Sequence, residues 1–234
     1  MKIGFVVECT QGGPDHKLVE LLVRTFCPND EPRVLPLNNK GILLKKASGE
    51  VAKLRKAGCD RVFVLFDWHP LEKKYQATHP KIWNPGICRV EAHELRGQLD
   101  AAEVKSGKVV VACVPQELEA WALADKAALI QVVSASARGG KFKKVKKTRN
   151  PEDVPNPVQS LENIFSYNSA VLSKFTDVPE IFKYAAQTRF TGLASCPTFC
   201  WLVEKLTNQT WEEAIKPPVM PKVTPKKAKQ KKRK

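Results

Sequence analysis

Three acidic positions stand at the ends of apolar runs. Glu8 closes Ile3-Gly4-Phe5-Val6-Val7, Asp67 closes Val62-Phe63-Val64-Leu65-Phe66, and Glu117 and Glu119 follow Val109-Val110-Val111-Ala112-Cys113-Val114. Each run has the length and composition of a buried strand bounded by polar or turn-forming residues. In an open parallel sheet the carboxyl ends of the strands gather at one edge, where binding sites form. Carboxylates far apart in sequence can therefore meet there. Crowded into one crevice, they repel one another and attract a hard divalent cation.

The elements that would position these acids are readable in outline. After the first strand, Asp15-His16-Lys17 opens a helical stretch with Leu18, Leu21, Leu22 and Phe26 on one face. A short second strand is expected over 33–37, a helix over 46–57 ended by Gly58, a third strand over 62–66, a Pro- and Lys-rich loop over 70–86, a helix over 91–104 and a fourth strand over 108–114. A helix then begins near Gln116. This alternation implies an α/β fold with a parallel sheet of about four strands flanked by helices. The expected organisation is an α/β domain over 1–135, a basic loop and linker over 136–157, a helical C-terminal part over 158–216 and a disordered Lys-rich tail over 217–234.

The chain has 234 residues and a formal net charge of +15, and the location of that charge is more informative than its size. Seven basic residues and no acid lie in the segment carrying Arg138, Lys141, Lys143, Lys144, Lys146, Lys147 and Arg149. Eight more, Lys226 and Lys227 among them, lie between Lys222 and Lys234. These fifteen are the whole excess; the other 24 Lys and Arg balance 24 Asp and Glu. A near-neutral body with two basic segments suits contact with nucleic-acid phosphates, while a solvated loop and a solubilising tail would produce the same composition. The seven cysteines are odd in number and show no CxxC pair, which suggests free buried thiols; zinc at Cys196 and Cys200 lacks a second pair. No apolar stretch nears the roughly 20 residues of a membrane span, and no membrane partner is expected. The expected compartment is the cytoplasm, or the nucleus if the source is eukaryotic, where the lysine tail could serve as an address. Gly12-Gly13 before the first helix could form an anion nest, giving a flavodoxin-like phosphate binder as a lesser reading.

The order of these residues resembles the Toprim (topoisomerase–primase) superfamily, and within it a small Toprim-like family related to nucleases of the OLD type. The matching residues are Val6-Val7-Glu8-Cys9, Leu65-Phe66-Asp67-Trp68-His69, Glu117-Leu118-Glu119-Ala120-Trp121 and Cys196-Pro197-Thr198-Phe199, and together they span roughly residues 1–206. Cys9 stands where the pattern has glycine and His69 where it has a second aspartate. The resemblance implies a metal-dependent nuclease acting on DNA or RNA, in defence against foreign genetic elements, with Mg²⁺ or Mn²⁺ as cofactor and a separate ATPase as a further partner. It implies Glu8 as acid or base, Asp67 as principal ligand, and Glu119, Glu117 and His69 as further ligands. If the segment is helical the 117/119 pair cannot point the same way, and Glu119 is preferred because it precedes Ala120-Trp121 as in the family's pattern. The alternative is a non-catalytic nucleic-acid-binding protein in which His69 marks lost activity.

Overall fold

The computed structural model describes residues 1–67, 85–102, 108–114, 117–137 and 145–216, with side chains of the second segment described from residue 92. Strands β1 (Lys2–Val7), β2 (Glu31–Pro36), β3 (Arg61–Asp67) and β4 (Val109–Val114) form one parallel sheet in the order β2-β1-β3-β4. Val7 lies opposite Leu65, and Asp67 opposite Val114, so the carboxyl ends of β1, β3 and β4 are in step. The order reverses beside β1, between its connections to β2 and to β3. Open α/β sheets place ligands at such a point, outside the strand carboxyl ends.

Period-two alternation assigns each strand residue to a layer. Ile3, Phe5, Val7, Phe63, Leu65, Ala112 and Val114 face one core; Val6, Val62, Val64, Phe66, Val109 and Val111 face the other. The second core is closed by α2 (Lys40–Lys56) and α3 (Pro85–Ala101), through Leu43, Ala47, Val51, Leu54, Leu95 and Leu99. Asn39 caps α2 by accepting from the Ile42 N–H, which moves the start of this helix six residues ahead of the expected one.

The first core is larger. α1 (Pro14–Phe26) covers it with Leu18, Val19, Leu22 and Val23. The rest of the cover is α4 (Leu118–Ala122), α5 (Lys126–Ser136), α6 (Pro157–Tyr167), α7 (Lys174–Gln187), α8 (Pro197–Thr207) and the short α9 (Trp211–Ala214). Leu161, Phe165, Ile181, Phe182, Phe199, Leu202 and Val203 share this core with the strands, so the C-terminal helices form a layer on the sheet. The helix expected near 116 divides into α4 and α5, because the Asp125 carboxylate accepts from the Ala128 N–H and starts a new helix.

The linker expected around Glu152 is anchored. Glu152 is buried; its Oε1 accepts from Trp121 Nε1 at 2.8 Å and from the Thr198 N–H at 3.1 Å, with the Phe199 N–H at 3.4 Å. A carboxylate from outside α8 thus satisfies the free N–H groups of that helix's first turn. Cys9, Cys27, Cys59, Cys196 and Cys200 are free thiols as expected, but Cys113 on β4 is disulfide-bonded. Cys113 sits half-buried at the edge of the second core.

Candidate functional site

The sheet's carboxyl edge gathers the expected acids. Glu8 is the residue directly after β1 and Asp67 ends β3; the Asp67 backbone N–H donates to Glu8 Oε2 at 3.2 Å. The third strand's terminal residue and the first strand's following residue are therefore locked together across the point where strand order reverses. Asp67 continues the Phe63-Leu65 face, which is the face α1 covers. There it meets Asp15, in the first turn of α1; the two line a cavity of about 10 Å³ with Leu18, Val114 and Trp121.

Glu117 and Glu119 approach from β4. Glu117 is the N-cap of α4, with extended backbone (φ −159°, ψ 167°) and no capping hydrogen bond from its own side chain. It precedes the helix, so helical spacing does not govern the pair, and both carboxylates face the same cation. Lys174 Nζ, on the first residue of α7, lies 2.8 Å from Glu119 Oε1 and 3.8 Å from Glu117 Oε2. Glu119 is 1% exposed, yet among the described residues neither of its oxygens accepts an aligned hydrogen bond, nor does Glu117 Oε2.

The electrostatics follow from crowding. Burial, and then Asp15, Glu8, Glu119 and Glu117 in that order, raise the Asp67 pKa well above the ordinary carboxylate value. Burial, followed by Glu119, raises Asp15 to about 7. Glu117 is raised by burial against the pull of Lys174. Burial alone would lower Lys174, but Glu119, Glu117 and Asp67 outweigh it and hold the ammonium charged. For Asp67 and Asp15 burial is the largest cause, and the like charges that share the site add to it. The set is rich in hard oxygen donors, which suit Mg²⁺ or Mn²⁺. Among the described residues, however, no three His, Cys, Asp or Glu side chains stand close enough to hold one ion.

Asp15 and Lys174 are the two members that sequence reading missed. Asp15 carries a readable signal, an acid in the first turn behind Gly12-Gly13-Pro14, but it reads as an ordinary helix start. Lys174 has none, because its place depends on α7 folding back against α1 and α5. Cys9, in the place of the pattern's glycine, is buried, and burial with Asp15 pushes its thiol up to about 12, so it stays protonated. Cys200 is pushed up to about 12, and Cys196 is raised as well, in each case by burial and then Glu152. Both are free thiols.

Trp121, at 1% exposure, is core; it packs edge-on against Phe199 with ring centroids 5.1 Å apart. His69, the loop aromatics Tyr75 and Trp83, and Arg138, Lys141, Lys143, Lys144, Lys226 and Lys227 lie outside the described residues. Lys146, Lys147 and Arg149 are described and exposed. No helix among the described residues is long and apolar enough to cross a membrane. Compared with protein-family models, with curated proteins and with solved structures, the chain matches none.

Proposed function

We propose that the chain is a Toprim-like, metal-dependent nuclease that hydrolyses phosphodiester bonds at the carboxyl edge of its sheet. One observation carries the reading: acids from three strand ends and from α1 meet at one buried edge, where burial first and the neighbouring carboxylates second raise Asp67 and Asp15 above the ordinary carboxylate range. A fold gains nothing in stability from such a set, and destabilising clusters of this kind concentrate at functional sites. In this reading Asp67 and Glu8 hold the ion, with Asp15 and Glu119 as the neighbouring carboxylates and Glu117 and His69 as further candidates. When bound, Mg²⁺ or Mn²⁺ supplies a Lewis acid for the phosphoryl group and lowers the pKa of an attacking water. Glu8, oriented by the Asp67 N–H, is placed to take or return a proton. Lys174 faces Glu119 and Glu117 and offers positive charge to an approaching phosphate. The basic segments, Lys146, Lys147 and Arg149 included, draw the polyanion to the surface. A role in defence, a separate ATPase partner and a cytoplasmic setting belong to the same reading.

The second reading is a binder without catalysis. It is favoured by Lys174, which already sits where a cation would go, and by the lack of a three-ligand cage among the described residues. Cleavage of a short labelled oligonucleotide with Mg²⁺ or Mn²⁺ separates the two. The nuclease reading expects activity that falls at least about a hundredfold in Asp67→Asn, with oligonucleotide binding retained. Metal-independent binding with no cleavage under either ion selects the binder. Cleavage undiminished in both Asp67→Asn and Glu8→Gln would refute the site.

A further inference from the structure

A cleft of about 610 Å³ opens between α6 and the chain entering from the basic segment. One wall is the face of α6 carrying Ser160, Asn163, Ile164 and Tyr167, residues spaced i, i+3, i+4 and i+7 and so aligned along one side of the helix. The other wall is Val145-Lys146-Lys147-Thr148, with Val145 buried and the two lysines exposed. Exposed Arg149 follows directly. Tyr167 keeps 60% of its surface exposed and is among the largest apolar side chains left open to solvent.

We propose that this cleft binds single-stranded nucleic acid, with a base stacked on Tyr167 and its flanking phosphates on Lys146, Lys147 and Arg149. Charge complementarity chooses the occupant. The rim carries three cations in four residues; of the two acids that follow, Glu152 is turned inward to Trp121 and α8 and Asp153 is exposed, so the cations outnumber the exposed acid of this stretch three to one. An aromatic face beside a line of lysines is the arrangement that holds an unpaired strand, since every base offers a π-face and every linkage a phosphate. The cleft volume is of nucleotide size. Duplex DNA is a poorer fit, because its bases are stacked on one another and cannot reach an aromatic ring lying on a wall. Asn163, exposed and on the same face, is placed to meet a base edge. This site is separate from the acidic edge and requires no metal, so it extends the nucleic-acid reading without depending on cleavage.

The test uses the full chain in EDTA, so that binding is measured without hydrolysis. Labelled dT12, rU12 and a 12-base-pair duplex are titrated over a salt series. Tighter binding of the single strands is expected, with the dT12 and rU12 arms showing whether the sugar matters. Tyr167→Ala should weaken single-strand binding roughly tenfold and leave duplex binding unchanged, while Tyr167→Phe, which keeps the ring, should retain it. Lys146→Ala with Lys147→Ala should lower the salt slope by about 1.4, at roughly 0.7 per phosphate contact on a single strand. Photocrosslinking with iodouracil-substituted dT12 should mark Tyr167. Crosslinks confined to residues 222–234 would overturn the proposal. Single-strand affinity unchanged in a folded Tyr167→Ala would overturn it too, as would competition by an acidic peptide as effective as by dT12. Failure here with cleavage intact leaves the acidic edge standing; binding here without cleavage removes only the nuclease reading.

Discussion

Glu152 offers the sharpest quantitative test of how this molecule is held together. Replacing it with alanine removes the acceptor for Trp121 Nε1, the Thr198 N–H and the Phe199 N–H in one step. Trp121 and Phe199 are 1% and 0% exposed, so water cannot replace the lost acceptor. A buried donor left unsatisfied costs about 1–3 kcal/mol. Two fully buried donors and one partly buried donor, together with the cavity, give roughly 3–5 kcal/mol. Against a domain stability of about 5–15 kcal/mol this is a large fraction. Glu152→Gln keeps a carbonyl oxygen for the same donors and loses only the charge facing the α8 N-terminus, so its cost should be about 1 kcal/mol. Urea denaturation followed by tryptophan fluorescence measures both. With a slope of about 2–3 kcal/mol per molar, Glu152→Ala should lower the midpoint by roughly 1–2 M and Glu152→Gln by about 0.5 M. A Glu152→Ala midpoint within about 0.2 M of wild type would show that the carboxylate does not fasten α8 to α4. Equal losses in the two variants would locate the effect in charge rather than in donors left bare.

The acidic edge makes a prediction about pH. The folded chain holds protons on Asp15, raised from 3.8 to about 7, and on Asp67, raised in the same direction, that the unfolded chain releases near pH 4. A raised carboxylate binds protons preferentially in the native state, so metal-free stability should be full below about pH 4 and decline as pH rises toward 7. Chemical denaturation between pH 4 and 8 checks this, and Asp15→Asn should flatten the decline; a curve that rises across that interval contradicts the crowding argument. Gly192→Ala should destabilise by about 2 kcal/mol or more, because a Cβ there would overlap the Asp125 carboxylate that caps α5. Asp125→Ala alone should cost about 1 kcal/mol, the usual value of an N-cap, and in its presence Gly192→Ala should cost less than in the wild type, the residual cost coming from the Asp125 Cβ at 2.9 Å. Thermal melts of the four proteins close that cycle, and strict additivity would remove the overlap as the cause.

Much of the sheet was legible because its signal is local. Runs such as Val62–Phe66 are apolar at every position, as strands buried on both faces must be, and their order alone implied parallel pairing. Glu8 and Asp67 were legible for the same reason, since each is the first acid after such a run. The geometry of Glu117 was misjudged because its helix begins two residues later than the composition suggests; the N-cap's extended backbone turns the side chain toward Glu119's partner. Asp15 was seen only as a helix start, and nothing in its neighbours distinguishes an acid serving the helix dipole from one aimed at Asp67. The anchoring role of Glu152 was hidden between Asn150 and Pro157, where prolines signal a turn whatever the acid does. Its partners lie 31, 46 and 47 residues away. Lys174 was the least accessible, since its position depends on the packing of α7 against α1 and α5.

Lys174 also links the C-terminal helices to the site in a way that chain order obscures. Glu119 is almost wholly buried, and an unpaired buried carboxylate would either take up a proton or destabilise the fold. Its compensating charge comes from the first residue of α7, a helix whose own core residues, Ile181 and Phe182, lie in the same apolar layer as Phe5 and Phe63. The helical part is thus the sheet's cover and the source of the site's positive charge at once. Lys17 reinforces the docking by donating to the Phe175 carbonyl at 3.1 Å, one residue beyond Lys174. Any movement of α7 away from α1 would therefore expose apolar surface and strip Glu119 of its counter-charge together. Packing and electrostatics at this edge therefore rise or fall as one unit.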